Sequence, residues 1–222
     1  NVSVEENLER HVRYLSSEKL EGRKAGSDGE RKAAEYVYDR LKGSGLEMLC
    51  SRQGQDFSIV LDGDSLTSRN VVAIVEGYDS ELRDEYIVVG ANIDNIGSNV
   101  LTIDGKKSLQ VFPGADANAS GVACMLELAD RVASASFLFR RSVVFVAFGA
   151  KEMGMAGSWY FVNRAFSPIS DVSLMIDLNM VGRGGPKNPF SYYTCVPNND
   201  ISNAVQRVSD NISFVRPTVG SG

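Results

Sequence analysis

Three short apolar runs constrain this chain most, because each ends on a cluster of polar residues. EYIVVGA (85–91) runs into Asn92, Asp94 and Asn95. SVVFVAFGA (142–150) runs into Lys151 and Glu152, and VSLMIDLNM (172–180) closes on Asp177 and Asn179. Runs of this length and β-branched content read as buried strands. Helical patterns over 4–16, 28–42, 119–134 and 152–166, and near 199–209, alternate with them. Strands alternating with helices predict an α/β fold: a central, mostly parallel or mixed sheet with helices on both faces. Ligands of such sheets bind beyond the carboxyl ends of the strands. A fourth polar cluster, PGADANASG (113–121), opens a helix and adds Asp116 and Asn118. The expected cleft therefore holds Asn92, Asp94, Asn95, Asp116, Asn118, Lys151, Glu152, Asp177 and Asn179.

The remaining segments fit around that sheet. The second helix has Ser27 or Asp28 as its cap, with Gly43 and Gly45 as stop signals. FSIVL (57–61) and NVVAIVEG (70–77) read as strands separated by the Ser/Thr/Asp-rich DGDSLTSR. Asp104-Gly105 between apolar flanks in VLTIDGKKSLQVF (100–112) is a hairpin signal. SYYTCV (191–196) and ISFV (212–215) read as further short strands. With no repeats, low-complexity tracts or linkers, residues 1–222 read as one domain.

Composition removes several function classes. The chain has 222 residues, a net charge of −5 and no basic stretch, which argues against a nucleic-acid partner. The longest apolar run, 142–150, is too short to span a bilayer. The opening NVSVEENLERHVRYL reads as an amphipathic helix and not as a leader, so the chain is expected to be cytosolic or to have lost one. Cys124 reads as a core residue, and Cys50 and Cys195 leave a single disulfide open. His11 is the one histidine. It lies in the first helix beside Arg10 and Arg13 and reads as a surface or half-buried helix residue. That count rules out a Ser-His-Asp site away from residue 11, and a His-rich zinc site anywhere in the chain.

The polar clusters, in this order, resemble the co-catalytic two-zinc aminopeptidases, whose relatives include glutaminyl cyclases and the peptidase-like ectodomain of the transferrin receptor. The likeness runs from about residue 8 to residue 183. HVRYLSSEKLEGRKAGSDGERKAAEYV is similar to that family's first helix, Leu-Glu-Gly-Arg loop and second helix. GANIDNIG resembles Gly-Ala-His-x-Asp-His, and PGADANASG resembles Gly-Ala-Asp-Asp-Asn-Ala-Ser-Gly. RSVVFVAFGAKEMGMAGSWYFV resembles a strand ending in Glu-Glu before Gly-x-x-Gly-Ser, and SLMIDLNMVGR resembles an Ile-Asn-Leu-Asp-Met-Val-Gly strand.

The resemblance implies two zinc ions sharing a bridging Asp, with a Glu as base toward the polarised water. Carried over by position, the first His ligand falls on Asn92, and the Asp that orients it is kept as Asp94. The bridging Asp is kept as Asp116, but the next Asp falls on Ala117. The base falls on Lys151, the adjacent Glu ligand is kept as Glu152, and the Asp ligand of the later strand falls on Asn179. No His follows residue 11 to supply the last ligand; the family's C-terminal segment is expected to be missing. Asp116 and Glu152 are thus the remnant ligands, and Asp94 and Lys151 occupy the catalytic positions. An Asn amide is a weak, neutral donor for zinc. The expectation is a non-catalytic homologue with no cofactor, binding a peptide or protein partner. The alternatives are an active hydrolase with an altered metal site using Asp94, Asp116, Glu152 and Asp177, and a purely structural interaction domain. Asp177 is expected to hydrogen-bond backbone or a neighbouring side chain, and Lys151 to pair with Asp116 or Glu152. The resemblance also implies export to the periplasm or outside the cell.

Overall fold

The computed structural model describes residues 2–61, 63–183, 191–194, 199–210 and 218–221. The chain divides into two compact units, Asn1–Met180 and Val181–Gly222.

In the first unit the strands are β1 (Glu47–Met48), β2 (Gln55–Leu61), β3 (Asp64–Val75), β4 (Tyr86–Asn92), β5 (Ser98–Ile103), β6 (Lys106–Val111), β7 (Ser142–Phe148) and β8 (Val172–Asp177). The helices are α1 (Val4–Leu15), α2 (Asp28–Gly43), α3 (Ser120–Ser134) and α4 (Ala156–Tyr160). The main sheet has the order β1-β3-β7-β4-β8, with β2 paired to β3. β3 runs antiparallel to β7, whereas β4 lies parallel between β7 and β8. The mixed sheet with a parallel half is the expected α/β architecture. Register places Asn92 opposite Phe148, and Asp177 opposite Gly90. The carboxyl ends of β4, β7 and β8 therefore open on one rim.

Strand periodicity fills both faces. Phe145 and Ala147 of β7 point into a core with Leu15, Val37 and Leu41 of the first two helices and Met125 of α3. Val144, Val146 and Phe148 point the other way, against Phe161 and Phe166. Those two rings stack at 5.0 Å, and Phe148 meets Phe161 edge-on at 5.7 Å. The helix starts follow their capping chemistry. Ser3 and Glu6 form a reciprocal capping box on α1, and Ser27 Oγ accepts from Glu30 N–H on α2.

Four expectations need correction. β2 and β3 form one hairpin, with Leu61 opposite Asp64, so Asp64–Arg69 of the Ser/Thr/Asp-rich segment is strand and not a separator. Its inward residues Ser68 and Asn70 are buried and polar, which hid the period. The helix expected over 152–166 is broken, because Gly154 and Met155 both take left-handed backbone (φ +73° and +58°). α4 follows, then an irregular wide turn over Phe161–Ala165. β8 stops at Asp177, before Leu178–Met180. His11 is buried at 7% exposure, its Nδ1 2.7 Å from Tyr36 Oη.

Asp104 (φ +52°) and Gly105 (φ +75°) make the expected two-residue turn between β5 and β6. Cys50 is a free thiol whose Sγ accepts from Val72 N–H, and Cys124 is only half-buried. Cys195 lies outside the described residues. In the second unit, β9 (Ser191–Thr194) and β10 (Thr218–Ser221) pair in parallel, and α5 spans Asn199–Asp210. The strand expected over 212–215 lies outside the described residues. Among the described residues, no helix is long and apolar enough to cross a membrane.

Candidate functional site

The end of β4 releases Asn92, Asp94 and Asn95 into the rim, all of them buried. Asp94 is fully enclosed. Its Oδ1 accepts from Lys151 N–H at 2.9 Å and its Oδ2 from Glu152 N–H at 3.0 Å. One carboxylate thus holds the two consecutive backbone N–H groups of the turn that follows β7. Burial raises the Asp94 carboxyl above the ordinary range, and these backbone bonds oppose the rise.

The amides are equally committed. Asn92 Nδ2 donates to Asp94 O at 3.0 Å, while its Oδ1 accepts from Asn118 Nδ2 at 3.0 Å. Asn118 Nδ2 also donates to Leu178 O at 2.8 Å, and its Oδ1 accepts from Gly121 N–H at 3.2 Å and Met180 N–H at 2.8 Å. Asn95 Nδ2 donates to Phe112 O at 3.1 Å. Asp116 sits in the irregular turn Ala115–Ala119 before α3, where Ser120 Oγ donates to its backbone oxygen (2.9 Å) and lies 3.3 Å from its Oδ1.

Lys151 Nζ lies 3.2 Å from Glu152 Oε1, both side chains about one-third exposed. Asp177 stands at the exposed end of β8. Burial nonetheless lifts its carboxyl, and the Lys151 ammonium opposes the lift. Its carboxylate makes no hydrogen bond among the described residues, contrary to expectation, and the ammonium that acts on it there is that of Lys151. Asn179 is exposed. The rim thus gathers Asn92, Asp94, Asn118, Lys151, Glu152 and Asp177, with Asp116 at the start of α3. Among the described residues, no group of three or more His, Cys, Asp or Glu side chains is arranged to hold a metal ion.

Beneath the rim lies a second layer that residue pattern alone did not predict. Arg23 is 1% exposed, and among the described residues its guanidinium donates only to backbone carbonyls. Nε reaches Ile93 O at 2.8 Å, and the terminal nitrogens reach Leu15 O, Pro113 O, Gly114 O and Ala117 O. Arg23 therefore ties the end of β4 to the turn that carries Asp116. Burial lowers it to about 10, against the attraction of Asp94. Glu30 is wholly buried, its carboxylate accepting from Ser68 Oγ at 2.6 Å and Gly26 N–H at 2.7 Å. Burial pushes Glu30 up to about 7, against those two bonds. Asn70 completes the layer, accepting from Gly149 N–H and donating to Gly157 O. A sequence signal for Glu30 did exist: with Ala33, Ala34, Val37 and Leu41 it falls on the apolar stripe of α2.

Comparison with known proteins gives this cleft a family. Residues 70–216 match the model of Peptidase family M28. A probable zinc metalloprotease of Pyrenophora teres f. teres is 36% identical over 112 residues. That match covers 50% of this chain and 22% of the fungal protein. The fold is shared with a Zn-dependent exopeptidase from Parabacteroides distasonis, at a TM-score of 0.72 and 18% identity, over 100% of this chain and 77% of that one. It is shared too with BSAP, a zinc aminopeptidase from Bacillus subtilis, at a TM-score of 0.73 and 15% identity, over 100% of this chain and 80% of that one. The sequence match thus spans under a quarter of the curated relative's length.

Proposed function

The chain belongs to Peptidase family M28, and on that premise we propose that it is a non-catalytic member which binds a peptide or protein partner through the cleft at the ends of β4, β7 and β8. The family implies zinc. The observation that carries the proposal is the bonding of Asn92. Its amide occupies the position of the first ligand and is satisfied at both ends within the protein, by Asp94 O and Asn118 Nδ2. The position of the base holds an ammonium, paired with Glu152.

This donor set does not fit two zinc ions. A zinc site takes at least three protein donors drawn from thiolate, imidazole and carboxylate. Of the family's ligand positions in the described residues, only Asp116 and Glu152 offer such groups. Glu152 already faces Lys151 Nζ, and Asp116 is engaged with Ser120. Lys151 cannot accept a proton while charged, so no proton transfer from water is assigned to it. The chain's own groups can hold a ligand by hydrogen bonds. Lys151 Nζ has donors beyond the one on Glu152, and the Asp177 carboxylate is an open acceptor among the described residues.

The test is retention of peptides from a defined library by the immobilised chain, compared with Asp177→Ala and Lys151→Ala. The reading expects a retained subset that both variants lose. A parent chain that retains nothing, or that shortens the peptides from their amino ends, contradicts it.

A further inference from the structure

Asn118 is bonded at every point an amide offers. Its two N–H groups go to Asn92 Oδ1 and Leu178 O, and its oxygen takes the N–H groups of Gly121 and Met180. Those partners belong to three different walls of the cleft: the end of β4, the first turn of α3, and the segment that follows β8. The residue is 1% exposed, so none of the four bonds is traded cheaply with water.

The local sequence is built around this junction. A Cβ on Gly121 would stand 2.2 Å from Leu178 O and 2.5 Å from Asn118 Oδ1, so only glycine lets the post-β8 segment approach α3 this closely. Met180, which donates to Asn118, holds left-handed backbone (φ +53°), unusual for a side chain of its size. Leu178 N–H bonds Gly90 O, which fixes the same segment from the β4 side. No charged group takes part.

We infer that Asn118, completed by Asn92, is the positioning residue of the cleft. It fixes residues 178–180, and so the wall that carries Asp177 and Asn179, against β4 and α3. The junction needs no metal to close, and in this it rests on the reading above that zinc does not hold the cleft. Asn118 itself does not contact a ligand; it acts through the walls it joins.

Residue-resolved hydrogen exchange on the intact chain tests this. Asn118→Ala should speed exchange of the Gly121 and Met180 amides at least about tenfold, the scale of one lost buried hydrogen bond. The Val144 and Val146 amides in the sheet centre should keep the parent's rate. Asn92→Ala, which removes one bond of the four, should give a smaller change at the same two amides and serves if Asn118→Ala does not fold. Equal acceleration everywhere, or unchanged Gly121 and Met180 in either folded variant, overturns the inference. Exchange of the parent should be the same with and without chelator. If chelator alone releases Met180, the metal-free reading fails, while the effect of Asn118→Ala still decides the junction.

Discussion

Lys151 Nζ stands 3.2 Å from Glu152 Oε1, with both side chains about one-third exposed, in the turn that follows β7. The pair is an internal cation and anion in a partly wet cleft. Its contribution is accordingly that of a screened surface pair.

Lys151→Ala should therefore lower stability by no more than about 1 kcal/mol. Lys151→Glu should cost more at low salt, because it adds a carboxylate beside Glu152 and near Asp177, and the difference should shrink as salt rises. Denaturant unfolding at two ionic strengths measures both. A loss above about 3 kcal/mol for Lys151→Ala would mean the pair behaves as a buried one.

Two buried groups make stability depend on pH in opposite directions. Glu30 titrates near 7 in the fold, above its unfolded value, so the folded state holds the extra proton between about 4.5 and 7. Its contribution is present below that window and is lost as pH rises through it. His11 titrates near 4, below its unfolded 6.5, because burial and then Arg40 and Arg10 disfavour its charge. Its contribution is present above about 6.5 and is lost as pH falls toward 4. Each can be worth on the order of 2–3 kcal/mol. Melting temperature against pH should thus be flatter in the parent than in either variant. Glu30→Gln should leave a curve that rises with pH from 4 to 6.5, and His11→Gln one that falls from 4.5 to 7. A slope of the reverse sign in either variant contradicts the assignment.

Gly149 separates a steric requirement from simple helix propensity. A Cβ there would lie 2.4 Å from Arg69 O and from Ser68 Oγ, and 2.8 Å from Glu30 Oε1. Gly149→Ala should destabilise by roughly 1–3 kcal/mol or more through overpacking. Gly43, at the end of α2, has nothing within 4 Å of such a Cβ. Gly43→Ala should be neutral or stabilise by up to about 1 kcal/mol. Chemical denaturation of the two variants checks the pair, and similar behaviour of both would count against the crowding at Gly149.

The sheet and its rim were legible because β4, β7 and β8 are apolar runs that stop abruptly on polar residues. The hairpin of β2 and β3 was not, because its inward positions Ser68 and Asn70 serve Glu30, Gly149 and Gly157 instead of an apolar core. The same network explains Glu30, whose signal in the sequence is a carboxylate on a helix face that otherwise packs alanine, valine and leucine. Arg23 lay in a stretch that reads as loop, since backbone carbonyls leave no trace in a sequence as partners. The break after Glu152 was hidden too: Met155 takes a backbone region that its residue type does not announce.

Zinc content, measured by elemental analysis after dialysis and set beside turnover of an aminoacyl anilide, tests the central claim most directly. The account predicts well under one zinc per chain, no turnover that chelator abolishes, and a melting temperature that chelator does not move. One or more zinc ions per chain, with turnover lost on chelation, would contradict it.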